Sequence, residues 1–131
     1  MNRVDKLNLN DLASDIFAGN VEKGWWDNPR SFAECVALMH SELSEALEVD
    51  RKPTKAELRG AAFDLLQEQD DEIFKMQFED LVKDTKGDEL ADTIIRILDW
   101  CGFEHIDIQS HILAKLRYNK MRSHKHGGKK Y

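Results

Sequence analysis

Apolar residues recur at steps of three and four along nearly all of this 131-residue chain, with no strand-like alternation of useful length. That spacing restricts the chain to helices. With only 7 Gly and 2 Pro there is little material for a loop-rich fold. Asn8 or Asn10 can cap a first helix bearing Leu9, Leu12, Ile16 and Phe17, ending by Gly24. A loop through Trp25-Trp26-Asp27-Asn28-Pro29 follows. Ser31 with Glu34 has the form of a capping box and predicts a second helix to about Asp50, its stripe being Phe32, Val36, Met39, Leu43 and Leu47.

Pro53 breaks that pattern, and Thr54 with Glu57 forms a second capping-box signature ahead of Leu58, Ala61, Ala62, Leu65 and Leu66. The polar run Gln67–Glu72 interrupts the stripe before Ile73, Phe74, Phe78 and Leu81 resume it. One long helix and two shorter ones fit this region equally. Thr85 to Asp88 starts a further helix ending near Gly102, and a last one begins around Asp107 with Ile108, Ile112 and Leu116. The predicted fold class is all-α, with about four to five helices in a single domain over 1–131.

Charge is distributed unevenly. The last 17 residues carry seven Lys or Arg and no acid, whereas the first 114 carry 12 bases and 25 acids. An acidic body disfavours nucleic-acid binding through an overall basic surface. No apolar run approaches the roughly 18 residues of a membrane span, and the N-terminus lacks a signal-peptide layout. Cys35 and Cys101 fit no zinc or CxxC spacing. The expectation is a soluble, cytoplasmic protein without membrane or nucleic-acid partners.

Two carboxylate pairs stand out. On the helix from Glu89 to Trp100, the residues Glu89, Asp92, Arg96 and Asp99 lie within about 80° of one another at roughly 100° per residue. Most other positions there are apolar, so the helix is expected to pack on more than one side. Its narrow acidic stripe then lines a cleft, or forms a solvated strip in which Arg96 pairs Asp92 and Asp99. Glu42 and Glu45 form a second i, i+3 pair on the flank of the second helix. Two helices each offering such a pair can enclose four carboxylates, the oxygen-rich surroundings that a hard cation such as magnesium prefers. No Glu-x-x-His accompanies them, which argues against a di-iron site.

The final helix offers a basic face. Lys115, Asn119 and Arg122 step by four and three, a combination suited to phosphate and sugar oxygens. Bases near a helix C-terminus also complement the helix dipole, and that reading competes.

The ordered set Glu42-x-x-Glu45, then Glu89-x-x-Asp92 with its flanks Asp88-Glu89-Leu90-Ala91-Asp92, then Lys115-x-x-Tyr118-Asn119-x-x-Arg122 resembles the MazG-like all-α nucleoside triphosphate pyrophosphohydrolases. The matches cover roughly residues 24–50 and 84–130. The interval between Glu45 and Glu89 is longer than the family's usual spacer, indicating an insertion around 53–80. The resemblance implies hydrolysis of a (deoxy)nucleoside triphosphate to monophosphate and pyrophosphate, a house-cleaning role, and completion of the bundle by forming a homodimer or homotetramer. It also implies one or two Mg²⁺, with Mn²⁺ as a substitute, held by Glu42, Glu45, Glu89 and Asp92. Glu45 is the candidate for handling the attacking water. Lys115, Asn119 and Arg122 would grip the triphosphate, with Lys129 of the basic tail 122–131 closing over it.

Trp26 is the candidate base contact, since an aromatic ring in a loop before a metal-bearing helix can stack on a nucleobase. The competing reading is that one of Trp25 and Trp26 staples the first helix to the second. His40 is read as packing, and His124 and His126 as solvated or phosphate-contacting. The rival functional class is a non-catalytic helical interaction module with an acidic face and a basic tail.

Overall fold

A computed structural model describes residues 7–122. Among the described residues there are six helices and no strand, one more helix than the upper expectation. They are α1 (Leu9–Glu22), α2 (Phe32–Arg51), α3 (Ala61–Leu65), α4 (Asp71–Leu81), α5 (Lys86–Glu104) and α6 (Ile108–Lys120). Lys129, His124, His126 and most of the basic tail lie outside the described residues.

Most boundaries follow from caps. Asn8 accepts from the backbone N–H of Asn10 and Asp11, Ser31 from Glu34, and Asp107 from Ser110. The middle of the chain departs from expectation. Residues 52–60 are not helical, and α3 starts only after Gly60, whose φ of +87° lies in the left-handed region. The polar waist then ends at Asp70, which accepts from the N–H groups of Glu72 and Ile73 and starts α4. Of the two arrangements the sequence allows, the structure takes two short helices, because local breaks outweigh the continuity of the apolar stripe.

The chain divides into two compact units. Among the described residues, one comprises 7–28 and 98–122; the other is Pro29–Ile97. In the first, Ala13, Leu98 and Cys101 form a buried centre with Leu12, Ile16, Ile106 and Ile108 against it. Gly102 makes that packing possible. A Cβ there would lie 2.5 Å from the Ala13 carbonyl oxygen and 2.7 Å from the Phe17 Cβ, so α1 packs directly on α5 backbone. The starts of α1 and α6 cap each other: Gln109 Oε1 accepts from the Leu9 N–H at 2.8 Å, and Asn10 Oδ1 from the Gln109 N–H at 3.2 Å. Asn10 Nδ2 also donates to Asp107 Oδ1 at 2.7 Å, and this bond holds the Asp107 carboxyl below its usual range.

In the second unit, α2 and α5 are joined by two ion pairs. Arg96 Nε donates to Glu42 Oε1 at 2.7 Å, and Lys86 Nζ lies 2.7 Å from Asp50 Oδ1. Residue 42 faces 96 while 50 faces 86, so the two helices run antiparallel in this unit.

Candidate functional site

Glu42 comes from the middle of α2, and Glu89 and Asp92 from the first two turns of α5. Each offers a carboxylate oxygen, and the three oxygens lie within 4.8 Å of one another. Glu42 and Glu89 are 8% and 6% exposed, and Asp92 is half-buried. This inverts the usual placement, since Leu90, Ile94 and Ile95 of the same helix are 44%, 55% and 43% exposed. Burial on α5 falls on Glu89 and Asp99 of its acidic stripe and, towards its end, on Leu98, Trp100 and Cys101.

Burial and mutual repulsion dominate the electrostatics. Glu89 is pushed up to about 7, first by burial and then by the neighbouring Glu45, with Asp92 and Asp88 adding to the effect. Asp92 is raised by burial and by Asp88, Glu42 and Glu45, against the opposing charge of Arg96. Oε2 of Glu89 is buried and has no hydrogen-bonding partner. An ionised carboxylate in that position lacks a compensating donor or cation.

Three of the four predicted ligands thus meet. Glu45, on the same helix as Glu42, is exposed and adjoins Glu89 without joining the 4.8 Å group. Arg96 does not bridge Asp92 and Asp99 in a solvated strip; its Nε is bonded to Glu42, the ligand candidate on the neighbouring helix. Asp99 is 8% exposed and accepts from the Trp26 indole N–H at 3.1 Å.

Trp26 belongs to an aromatic cluster. Its ring stacks on Phe103 at 4.6 Å between centroids and meets Phe17 edge-on at 5.4 Å. It therefore staples α1 to the end of α5, rather than the first helix to the second. Trp25 is 58% exposed. Lys115 and Asn119 lie on α6 and Arg122 just beyond it, in the unit that does not contain the carboxylates. Lys115 Nζ and Arg122 Cζ stand 5.1 and 5.8 Å from the centre of the Tyr118 ring. His111, Ile112, Lys115, Leu116 and Tyr118 line an open groove along α6. His40 is exposed, not packed.

No protein-family model, curated protein or solved structure matches this chain.

Sequence reasoning did not single out Asp84 and Asp88, whose carboxylates form a second group with Glu89. Part of that group serves the helix start, since Asp88 Oδ2 accepts from the Asp84 N–H at 3.0 Å. It also misassigned Glu57, read as half of a local capping box with Thr54, which instead bonds the first turn of α5. Oε2 accepts from the Lys86 N–H at 3.0 Å, and Oε1 from the Gly87 N–H at 2.9 Å.

Proposed function

We propose that this chain is a Mg²⁺-dependent nucleotide pyrophosphohydrolase of the MazG-like kind. It would split (deoxy)nucleoside triphosphates between the α- and β-phosphates in nucleotide-pool house-cleaning. The observation that supports this best is the partnerless, buried Oε2 of Glu89 beside the converging oxygens of Glu42 and Asp92. Hard divalent cations take such oxygen donors, so the residues fit the ion that the resemblance implies.

Glu42, Glu89 and Asp92 would hold the Mg²⁺, with Glu45 alongside. The bound ion would neutralise phosphate charge and lower the pKa of a coordinated water. Arg96 orients Glu42 through the bond from its Nε. Glu45, exposed beside Glu89, is the carboxylate left to accept a proton from the attacking water. The resemblance assigns Lys115, Asn119, Arg122 and Lys129 to the triphosphate and Trp26 to the base; in the structure Trp26 is engaged by Phe103, Phe17 and Asp99.

Self-association as a homodimer or homotetramer fits the apolar side chains left open on α2 and α5. Leu43 and Leu47 are 46% and 60% exposed, as are Leu90, Ile94 and Ile95 to the extent given above. A reducing, cytoplasmic setting suits the buried thiols Cys35 and Cys101. No helix among the described residues is long and apolar enough to cross a membrane.

The test is pyrophosphate release from a panel of dNTPs by the purified protein with Mg²⁺. The expected products are pyrophosphate and the monophosphate, with turnover reduced at least about 100-fold by Glu42→Gln and by Asp92→Asn. Absence of pyrophosphate from every common dNTP defeats the enzyme reading and favours the helical interaction module.

A further inference from the structure

The start of α5 is completed by a residue from outside its own neighbourhood. Helix N-termini leave their first N–H groups without intrahelical partners, and an N-terminal turn lacking a cap frays readily. Thr85 Oγ1 serves one of them, accepting from the Asp88 N–H at 3.2 Å. The N–H groups of Lys86 and Gly87 are served by the two oxygens of Glu57, about thirty positions earlier in the chain. Position 87 leaves room for this contact: a Cβ there would stand 2.6 Å from Glu57 Oε1, so a larger residue makes the carboxylate shift from its place on the amides. Glu57 therefore complements both the open amides and the positive end of the helix dipole.

This cap bears directly on the carboxylate site. Glu89 is only three residues beyond Lys86, within the turn that Glu57 holds. Glu45, Asp92 and Asp88 all repel its charge. A frayed first turn would let Glu89 swing towards water and relieve that repulsion, taking it away from Glu42 and Asp92. The clamp is reinforced by Asp50, on the last turn of α2, paired with Lys86, while Glu42 and Arg96 join the same helices further along. The acidic residues Glu45, Glu89 and Asp92 lie in the interval between those two ion pairs.

We propose that Glu57 is a positioning residue for the metal site, fixing the first turn of α5 through the amides of Lys86 and Gly87 so that Glu89 stays with Glu42 and Asp92. This rests on the metal-site reading given under Proposed function. The residue belongs to the 53–80 segment, which thereby becomes part of the site's scaffold.

The experiment measures Mn²⁺ binding by calorimetry in the full chain, and amide exchange at Lys86, Gly87 and Glu89 without metal. Glu57→Ala should weaken Mn²⁺ binding about tenfold, within the range typical for residues that support metal ligands. Exchange at the three amides should quicken. Gly87→Ala leaves Glu57 chemically intact but displaces it, and should reproduce both effects, even though alanine is ordinarily the better helix former. Glu57→Gln keeps one acceptor oxygen and loses the other, since its NH2 cannot accept from an amide N–H, and should fall between wild type and Glu57→Ala. If Glu57→Ala fails to fold, Gly87→Ala and Glu57→Gln decide. Folded variants that bind Mn²⁺ as tightly as wild type overturn the positioning role and leave the metal site standing. A wild-type protein that binds no Mn²⁺ overturns both readings.

Discussion

Arg96 Nε and Glu42 Oε1, 2.7 Å apart, join α5 to α2 at the edge of the acidic group. The side chain of the arginine is 36% exposed against 10% for Glu42. A pair of this kind limits how far Glu42 can turn from Glu89 and Asp92.

Replacing Arg96 with Met leaves Glu42 covered and unpaired among other acids. Metal-free stability should fall by about 1–3 kcal/mol, less than for a fully buried pair because the arginine is partly solvated. Urea unfolding with and without Mg²⁺ checks this. The deficit should shrink when Mg²⁺ is present, and an unchanged midpoint without metal would contradict the role given to Arg96.

Stability without metal should also depend on pH through Glu89. A carboxyl whose folded pKa exceeds its unfolded value holds its proton more tightly when folded. Its contribution is therefore fully present at low pH and fades as pH climbs from 4.5 to about 7. The full effect is on the order of 3 kcal/mol. Unfolding followed across that window should show stability declining in this contribution as pH rises. Glu89→Gln should flatten the slope, and Mg²⁺ should do the same in the wild type.

At Gly102, alanine should destabilise despite its better helix propensity. Its Cβ would sit 2.5 Å from the Ala13 carbonyl oxygen, which α1 backbone cannot vacate cheaply. The expected loss is about 1–3 kcal/mol, read from denaturant midpoints. A gain of about 1 kcal/mol, as in an open helix interior, would show that α1 does not pack there.

Trp26→Phe keeps an aromatic ring near Phe103 and Phe17 but removes the donor to Asp99, which is 8% exposed. A loss of about 1–3 kcal/mol is expected from the stranded carboxylate. Adding Asp99→Asn to Trp26→Phe should recover part of it in a double-mutant cycle; strict additivity would mean that the indole bond carries no weight.

Local chemistry made much of the fold legible in advance. Caps at Asn8, Ser31 and Asp107 sit where side-chain oxygens meet open amides, and their helices start accordingly. The spacing of Glu42, Glu89 and Asp92 was visible because helical periodicity fixes which residues share a face. What periodicity cannot supply is a partner remote in sequence. Thr54 with Glu57 has the form of a local capping box, yet residues 52–60 make no helix and Glu57 caps α5 instead. Likewise Asp99 lies on the same stripe as Asp92 but bonds an indole brought in by a loop. The apolar pattern of α5 was equally readable, whereas the exposure of Leu90 and Ile94 depends on what else packs there, which no single helix encodes.

All three tryptophans, Trp25, Trp26 and Trp100, fall in the unit that contains α1 and α6, and none in Pro29–Ile97. Indole emission consequently speaks for that unit alone, while far-ultraviolet ellipticity sums helices from both. Heating the protein under both signals thus measures cooperativity directly. Coincident curves mean that the acidic unit and the aromatic unit lose structure as one thermodynamic block, and separated curves mean that each has a stability of its own.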